Sequence, residues 1–272
     1  MRIKQTLAAI AGTALALSLA ACGDDEPAGG GGGDSITIGI KFDQPGLGFK
    51  EADGTFSGFD VDMARYIAEG LGYAEDKIEF KETVSANREV FLEQGQVDIV
   101  LATYSITDER KAKVDFAGPY YIAGQDLLVR ADEDSITGPE SLNGKTLCSV
   151  TGSTSAQRVK DEHADEVQLL EQDSYSRCVD ALRAGQVDAL TTDDIILAGF
   201  AEQNPGEFKV VGAPFSEENY GVGLPLGDDE LRTEINDLIE AAFEDGAWEA
   251  AFNDNLGNSG YTLPSPPAVD RY

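Results

Sequence analysis

The sequence predicts an α/β protein with two lobes of similar build, and three observations carry that prediction. Short apolar strands alternate with amphipathic helices through most of the chain, which is typical of sheets covered by helices. A nearly continuous apolar run at Val97–Ala102 suits a strand buried on both faces. The segment Leu92–Asp98 also recurs as Leu182–Asp188, and in both copies a helix stops at a Gly and an apolar strand begins at once.

Hydrophobic periodicity locates the elements of the first half. Ile36–Ile40 is typical of a strand, and the apolar positions within Val61–Leu71 lie on one face of a helix that Gly72 closes. We expect a second strand at Ile78–Phe80 and a short helix around Asn87–Gln94, before the buried strand described above.

The second half continues the same alternation and ends in longer helices. Strands are expected at Thr146–Val150 and Val187–Leu190. An amphipathic helix face runs over Leu231–Ala242, and Trp248–Phe252 forms a last apolar cluster. The Pro-rich tail Thr262–Tyr272 is predicted to lie over the surface.

Composition narrows the classes of function. The 272 residues include 50 acidic and 20 basic side chains, which gives a formal charge of −30. This charge argues against a general nucleic-acid binder, because such a protein needs a basic face to neutralise phosphates. The single histidine, His163, falls in the polar run 161–166, for which we expect an exposed helix face. One histidine excludes multi-histidine metal sites. Composition therefore predicts a globular protein that is poorly equipped for catalysis and has no nucleic-acid partner. With the motifs described below, we expect a protein that is not an enzyme and needs no metal or cofactor.

Residues 1–21 have the organisation of a signal peptide. Arg2 and Lys4 precede an apolar or small stretch at Leu7–Ala21, which is the arrangement of a secretory signal. At about 15 residues the stretch is short for a transmembrane helix. We therefore expect an exported protein.

Cys22 follows the small residues at the end of this segment, as in the lipobox of bacterial lipoproteins. The pattern predicts that Cys22 is lipidated, for example with palmitate, and becomes the mature N-terminus. An ordinary secretory signal with a chance cysteine is the alternative. Residues 22–34 contain the glycine run Gly29–Gly33, which predicts a flexible tether. Together they predict a domain anchored by lipid to the outer face of the cytoplasmic membrane.

Two cysteines remain, Cys148 and Cys178. An even pair in an oxidising compartment predicts a disulfide, which would close a loop of about 30 residues and stabilise the fold by roughly 3–4 kcal/mol. Two buried, reduced thiols are the alternative.

The first candidate for a ligand site follows the buried strand Val97–Ala102. Ser105 and Thr107 are suited to cap a helix, but Arg110 and Lys111 then fall where cations oppose the positive end of the helix dipole. An anionic ligand would resolve that conflict, and Arg110 offers a bidentate fork to a carboxylate. The alternative is a solvated run of charges.

Two further candidates lie at other strand ends, where open α/β sheets bind ligands. Val150–Ser155 combines a Gly with hydroxyl side chains at a helix start, so its N–H groups suit an anion, although an ordinary capped turn has the same pattern. The acids of Thr191–Asp194 suit a ligand amine or cap the next helix. Together the candidates offer an arginine that can bind a carboxylate, a helix start that can bind an anion and an acid that can bind an ammonium. This combination fits a free α-amino acid.

Two motifs resemble a known family. Gly58–Ala64 resembles the signature of the family 3 solute-binding proteins of ABC importers, which bind polar amino acids. Ser105–Lys111 followed by Val114–Tyr121 is similar to its second hallmark. The stretches Gly39–Gly46 and Ser85–Arg88 look like the glutamate- and aspartate-binding branch, particularly actinobacterial glutamate-binding lipoproteins.

The resemblance implies a two-lobed, periplasmic-binding-protein-like fold of type II, which closes on its ligand like a flytrap. Two crossover strands would fall near Gln125–Val129 and Glu218–Val222. Lobe 1 would then comprise residues 35–126 plus 220–272, and lobe 2 residues 127–219. The implied protein is a monomer whose partners are an ABC permease and its ATPase subunits.

The resemblance also implies roles for groups that hold the backbone end of an amino acid. Arg110 would bind the α-carboxylate with help from Ser105. The backbone carbonyl of Thr103 and the carboxylate of Asp193 would receive the α-ammonium. Tyr175 stands where some relatives carry a histidine that contacts the ligand.

A second set of positions matches those that bind an acidic side chain. Lys41 and Arg88 would receive the side-chain carboxylate, with Ser85 beside them. Separately, Ser153 and Thr154 would supply N–H or hydroxyl donors to the ligand from lobe 2. An amide ligand would leave buried cations unpaired at a cost of roughly 2–5 kcal/mol, so we expect L-glutamate or L-aspartate. The alternatives are a binder of glutamine or another polar amino acid, a ligand-sensing lobe, and an enzyme similar to cyclohexadienyl dehydratase.

Overall fold

The computed structural model describes residues 35–272, and the predicted signal peptide, lipidated Cys22 and glycine tether lie outside this range. In chain order the strands of the described range are β1 (Ile36–Ile40), β2 (Asp43–Gln44), β3 (Gly48–Lys50), β4 (Phe56–Ser57), β5 (Ile78–Glu82), β6 (Ile99–Val100), β7 (Asp115–Ala123), β8 (Gln125–Arg130), β9 (Thr146–Val150), β10 (Gln168–Gln172), β11 (Ala189–Asp193), β12 (Phe208–Val210) and β13 (Glu218–Leu224).

The α-helices of this part of the chain alternate with those strands, as the sequence predicted. They are α1 (Phe59–Gly70), α2 (Arg88–Glu93), α3 (Asp108–Lys111), α4 (Ser155–Glu162), α5 (Tyr175–Arg183), α6 (Asp194–Gln203), α7 (Asp229–Asp245) and α8 (Ala247–Leu256). Across residues 35–272 none of the helices is both long enough and apolar enough to cross a bilayer.

The first sheet has the strand order β5-β1-β6-β13-β7. Strand β1 runs parallel to β5 and β6, whereas β13 runs antiparallel to β6 and β7. Helices α1, α7 and α8 pack together beside it, and in the core the ring of Phe59 meets Trp248 and Phe252 edge to face. We call this sheet with α1, α2, α3, α7 and α8 the first lobe.

Helix α1 shows how local sequence and tertiary packing agree. Its buried residues include Val61, Ala64 and Ile67, which are the positions that the 3.6-residue period selected. Gly58 precedes it with φ +121°, and a side chain there would collide with the backbone of Leu47. Glycine is therefore required where the chain enters this helix.

The second sheet has the strand order β10-β9-β11-β8-β12 and is covered by α4, α5 and α6, which together form the second lobe. The disulfide Cys148–Cys178 joins β9 to α5, with a Cα–Cα distance of 5.6 Å. Both cysteines are buried in the core. The disulfide predicted from the sequence is therefore confirmed, and the alternative of two reduced thiols is wrong.

The internal sequence repeat corresponds to a structural repeat. Helix α2 is followed by Gly95 with φ +62° and then β6, and helix α5 is followed by Gly185 with φ +68° and then β11. Both strands occupy the centre of their five-stranded sheets. The repeated segment thus builds the middle of each lobe.

The chain passes twice between the sheets. Strand β7 of the first sheet leads through Gly124 into β8 of the second, and residues 211–217 lead from β12 back to β13. The lobe limits expected at residues 126 and 219 fall within β8 and β13 respectively. The positions at which the chain changes sheets are therefore a few residues away from those limits.

Two predicted strands differ in length from those observed. The apolar residues of the run Val97–Ala102 are buried and Asp98 is exposed, but only Ile99–Val100 forms a regular strand, and the chain turns at Thr103 with φ +45°. The strand predicted at Val187–Leu190 instead spans Ala189–Asp193. It continues because antiparallel pairing with β8 extends to Asp193.

The expectation of an exposed helix face at His163 is wrong. Helix α4 ends at Glu162, and the His163 side chain is 21% exposed. Its ring packs edge to face on Phe215, with centroids 5.3 Å apart. The chain leaves the helix at this residue, and the imidazole packs against Phe215 of the same lobe.

The C-terminal segment lies over the first lobe, as predicted from its prolines. The amide of Asp270 donates to the carbonyl of Gly118 over 2.8 Å, and the amide of Phe116 donates to the Tyr272 hydroxyl over 2.9 Å. These contacts attach the segment to β7. They lie on the surface of the first lobe.

Candidate functional site

A cavity lies between the lobes, where loops that follow strands of both sheets meet. All but one of the residues that line it are polar or charged. They are Ser85, Arg88, Thr103, Ser105, Arg110, Ser153, Thr154, Ser155, Tyr175, Asp193 and Ile196.

Eight of the nine predicted ligand-binding residues line this cavity. The ninth, Lys41, lies behind it and donates from Nζ to Ser85 Oγ over 2.7 Å. Ser155 falls within the candidate segment Val150–Ser155 but was not among the nine selected residues, and Ile196 was not selected at all. Their positions at the starts of α4 and α6 were the available signal.

Arg88 and Arg110 are the two cationic side chains that line the cavity, and both are buried. Arg88 donates from Nη1 to the carbonyls of Ala102 and Thr103, and Arg110 donates from Nη1 to the carbonyl of Ser105 over 2.7 Å. Their Nη2 atoms both donate to the Gly152 carbonyl of the second lobe. Two guanidinium groups therefore face the same small space, where a carboxylate would be the stronger acceptor.

Two neighbours hold these cations in place. The ring of Tyr104 lies 4.3 Å from Arg88 Cζ and 5.1 Å from Arg110 Cζ, which permits cation–π attraction to both. Glu89 Oε1 lies 3.4 Å from Arg110 Nε. Burial, followed by the charge of Arg110, lowers the pKa of Arg88 to about 10. Tyr104 and Glu89 thus offset part of the repulsion between the two guanidinium groups.

The reason predicted for the placement of Arg110 is wrong, although Arg110 does line the cavity. Helix α3 has a single turn, Asp108–Lys111, so Arg110 and Lys111 belong to its last turn as well as its first. No conflict with a helix dipole arises in so short a helix. Thr107 caps it by accepting from the Arg110 amide over 3.2 Å, and this fixes the backbone of Arg110.

Lys41 is a buried cation, with 4% of its surface exposed. Burial, followed by the nearby charge of Arg88, lowers its pKa to about 7. An anionic group placed beside Ser85 would raise this pKa again, because it favours the protonated amine.

The backbone of Thr103 is held by a buried carboxylate that sequence reasoning did not select. Asp60 Oδ2 accepts from the Thr103 amide over 2.9 Å, and its Oδ1 accepts from the Tyr120 hydroxyl over 2.7 Å. Burial raises the pKa of Asp60 to about 6. Asp60 lies in the motif Gly58–Ala64, which was the signal for it. Its contacts support the left-handed conformation of Thr103.

The second lobe contributes hydroxyl groups at the start of α4. Ser153 Oγ accepts from the Tyr175 hydroxyl over 3.1 Å and from the Ser155 amide over 3.3 Å. Thr192 Oγ1 donates to the Tyr175 hydroxyl over 2.7 Å. Tyr175 thus links β11 to the turn that carries Ser153 and Thr154.

Asp193 is the acidic residue that lines the cavity. It ends β11, is 5% exposed and accepts from the Tyr220 hydroxyl at Oδ2 over 2.6 Å. Burial, followed by the charge of Glu218, raises its pKa to about 7. Cations on one lobe and a carboxylate on the other suit a zwitterionic ligand. Within residues 35–272 no cluster of His, Cys, Asp or Glu has the arrangement of a metal site.

Comparisons with known proteins agree with this architecture. The profile of the bacterial extracellular solute-binding proteins, family 3, matches residues 36–258. The glutamate-binding protein GluB of Corynebacterium efficiens is 47% identical over 257 residues, which cover 89% of this chain and 86% of that protein. The ABC transporter glutamine-binding protein GlnH of Bacillus subtilis is 39% identical over 221 residues, which cover 80% of each.

A solved structure of an ancestral arginine-binding protein bound to glutamine superimposes with a TM-score of 0.78 at 36% identity. It covers 84% of this chain and all of that one. The predicted fold class, an α/β protein of the two-lobed periplasmic-binding-protein type, is therefore confirmed. The curated relatives are named as binding proteins, and this chain is likewise a binding protein and not an enzyme. It belongs to family 3 of the bacterial extracellular solute-binding proteins.

Proposed function

We propose that this chain binds an acidic amino acid, L-glutamate foremost, between its lobes and delivers it to an ABC importer. The observation that supports this most directly is the grouping of three buried cations, Lys41, Arg88 and Arg110, opposite Asp193. A ligand with two carboxylates and one ammonium would match that distribution of charge.

The proposed contacts divide the ligand into two ends. Arg110 and Ser105 receive the α-carboxylate, and the Thr103 carbonyl with Asp193 receives the α-ammonium. This division is supported by the order of the groups across the cavity, since Arg110 is bonded to the Ser105 carbonyl and Asp193 lies on the other lobe.

The side-chain carboxylate would meet Arg88 and the pair of Lys41 and Ser85. Donors from Ser153 and Thr154 would complete its surroundings from the second lobe. Removing a negative charge from the ligand would leave these cations buried without a partner, which costs several kcal/mol in comparable sites. Glutamate should therefore bind more tightly than glutamine.

One observation favours glutamine as a second candidate. Because burial lowers the pKa of Lys41 to about 7, a fraction of this amine is neutral at neutral pH, and a neutral amine can accept from an amide. The B. subtilis relative and the bound ligand of the superimposed structure both point the same way. Glutamine binding would then strengthen as the pH rises, whereas glutamate binding would weaken.

The remaining parts of the proposal concern location and assembly. We propose that residues 1–21 direct export, that lipidated Cys22 anchors the protein to the outer face of the cytoplasmic membrane, and that residues 22–34 tether it. The binding unit would act as a monomer, with lobes at residues 35–126 plus 220–272 and at 127–219. Its partners would be the permease and ATPase subunits of an importer. Mass spectrometry of the protein from the native membrane would detect diacylation of Cys22.

Titration calorimetry of the purified protein tests the ligand. L-Glutamate, L-aspartate, L-glutamine, L-asparagine and L-arginine should be compared in one buffer at pH 7. We expect glutamate to bind most tightly, and equal affinity for glutamine would contradict the roles given to Lys41 and Arg88. Uptake of labelled glutamate in cells lacking the gene separates an importer from a sensor, because only an importer defect reduces uptake.

A further inference from the structure

Two buried carboxylates lie beside the cavity near one cation, Arg158, whose side chain is 21% exposed. Asp193 and Glu218 are 5% and 2% exposed. Arg158 of α4 forms an ion pair with Glu218 Oε1, which also accepts from the Ser216 hydroxyl over 2.8 Å. Arg158 further donates to Gln125 Oε1 over 3.0 Å. This cluster lies where β8 and β13, the two crossover strands, approach each other.

The other groups around Asp193 do not neutralise it. Tyr220 of β13 donates a neutral hydrogen bond to it over 2.6 Å, and the Tyr175 hydroxyl of α5 is engaged with Ser153 and Thr192. Asp194, the next residue, is itself acidic, and its Oδ1 accepts from the backbone amides of Gly124 and Ile195.

The remaining charged neighbours are also committed elsewhere. From β8, Asp126 accepts from the amides of Leu127, Gly212 and Ala213. The cations of the first lobe that line the cavity, Arg88 and Arg110, donate to backbone carbonyls, and within residues 35–272 no Lys or Arg nitrogen lies within 4.0 Å of the Asp193 carboxylate.

The balance of charge has a direct consequence. With both acids ionised, Asp193 and Glu218 carry two negative charges against the single positive charge of Arg158. A buried carboxylate without a cation binds a proton instead. Glu218 is bonded to Arg158 and Ser216, so Asp193 is the member of the pair that takes the proton. In agreement, burial and Glu218 raise the pKa of Asp193 to about 7.

We propose that Glu218 is a positioning residue that keeps a proton on Asp193 until a ligand binds, and that the ligand's ammonium displaces this proton into solvent. The O–H bond of the Asp193 carboxyl breaks, its electron pair remains on the carboxylate, and the proton passes to water or buffer. The ammonium then supplies the second positive charge that the two acids require. This inference rests on the proposed function, because it needs a ligand that places an ammonium at Asp193.

The number of protons exchanged on binding tests the proposal. The binding enthalpy of the full-length protein for L-glutamate should be measured at pH 7 in buffers with different ionisation enthalpies, because the slope gives the net proton count. The proton of Lys41 contributes an opposite uptake, since an anionic ligand raises its pKa. The comparison is therefore made between variants that share Lys41.

Glu218→Gln removes the charge that raises the pKa of Asp193 and leaves Arg158 to pair with it. At pH 7 the net count should shift toward uptake by a fraction of a proton, because Asp193 would hold less proton before the ligand binds and so release less on binding. The matched control is Glu217→Gln, which removes the same charge from the exposed neighbouring residue and should leave the count unchanged.

Tyr220→Phe provides the opposite shift. It removes the hydrogen bond that lowers the pKa of Asp193, so the count should move toward release. If both cluster variants retained the proton count of the unaltered protein while still binding glutamate, the inference would be overturned and the proposed function would stand. An absence of binding to any amino acid in the unaltered protein would overturn both. Circular dichroism shows whether each variant folds. If either Glu218→Gln or Tyr220→Phe fails to fold, the proton count of the other variant tests the inference.

Discussion

Arg88 and Arg110 both donate to one acceptor, the carbonyl oxygen of Gly152, over 3.3 and 3.2 Å. The two arginines belong to the first lobe and Gly152 belongs to the second, so this carbonyl bridges the lobes at the cavity. A neutral carbonyl compensates two guanidinium charges only in part, whereas a ligand carboxylate would compensate them more fully. Ligand binding and contact between the lobes should therefore be coupled at this point.

Gly152→Ala should weaken glutamate binding by about tenfold or more, a loss of about 1.4 kcal/mol or more. Gly152 has φ +81°, and a Cβ there would lie 2.6 Å from the Cα of Ala86 in the first lobe. The added methyl group should therefore separate the lobes and speed ligand dissociation, which stopped-flow fluorescence would measure. Gly144→Ala is the matched control, because Gly144 has φ +74° but has no atom within 4 Å of the added position. Equal loss in both variants would show that backbone strain, and not contact between the lobes, is responsible.

Arg110→Ala should reduce glutamate affinity by about 100-fold or more, because charged hydrogen-bonded pairs of this kind are worth roughly 2–5 kcal/mol or more. It would also leave Glu89 without its partner. Titration calorimetry measures the loss, and thermal unfolding shows whether the fold is retained. Arg177→Ala serves as control, since the Arg177 side chain is 64% exposed in the second lobe. Retained affinity in Arg110→Ala would contradict the proposed α-carboxylate site.

Glutamate affinity should pass through a maximum near neutral pH. The bound state requires protonated Lys41 and ionised Asp193, and burial brings the pKa of each to about 7 from opposite directions. Affinity should therefore fall above pH 7 as Lys41 loses its proton, and below pH 7 as Asp193 gains one. Each limb should approach about tenfold weaker binding per pH unit, as measured by titrations from pH 5 to pH 9.

Lys41→Met should abolish the alkaline limb of that profile and lower the affinity at pH 7. Lys113→Met is the control, because Lys113 lies on the exposed surface of the first lobe and should leave both limbs in place. A profile that stays flat between pH 6 and pH 8 in the unaltered protein would contradict the burial-shifted pKa values of Lys41 and Asp193.

Replacing both Cys148 and Cys178 by Ala should lower the free energy of unfolding by roughly 3–4 kcal/mol, as expected for a loop of about 30 residues. The bond joins residues 30 positions apart within the second lobe, so glutamate binding should persist at temperatures where the variant is folded. Urea unfolding with and without reductant measures the effect. Reductant should lower the free energy of unfolding of the unaltered protein and leave that of the double variant unchanged. If reductant also destabilised the double variant, the effect of reductant would not come from this disulfide.

Local sequence determined the elements and most of the residues of the candidate site. Hydrophobic periodicity located β1, α1 and α7, because the spacing of buried positions is fixed by the geometry of strands and helices. The repeated segments Leu92–Asp98 and Leu182–Asp188 correctly indicated two central strands. Motif resemblance selected Arg110 and Asp193, and both line the cavity.

Tertiary structure decided the relationships between those residues. The convergence of Arg88 and Arg110 on Gly152, and the pairing of Asp193 with Tyr220, join positions that are 27 to 64 residues apart. Such contacts depend on how the lobes pack, and no local period encodes them. The helix-dipole argument for Arg110 and the exposed helix face expected at His163 were wrong for the same reason. The sequence determines which titratable side chains the protein carries. Only packing buries those side chains away from water, and burial determines which of them are charged and which partners they require.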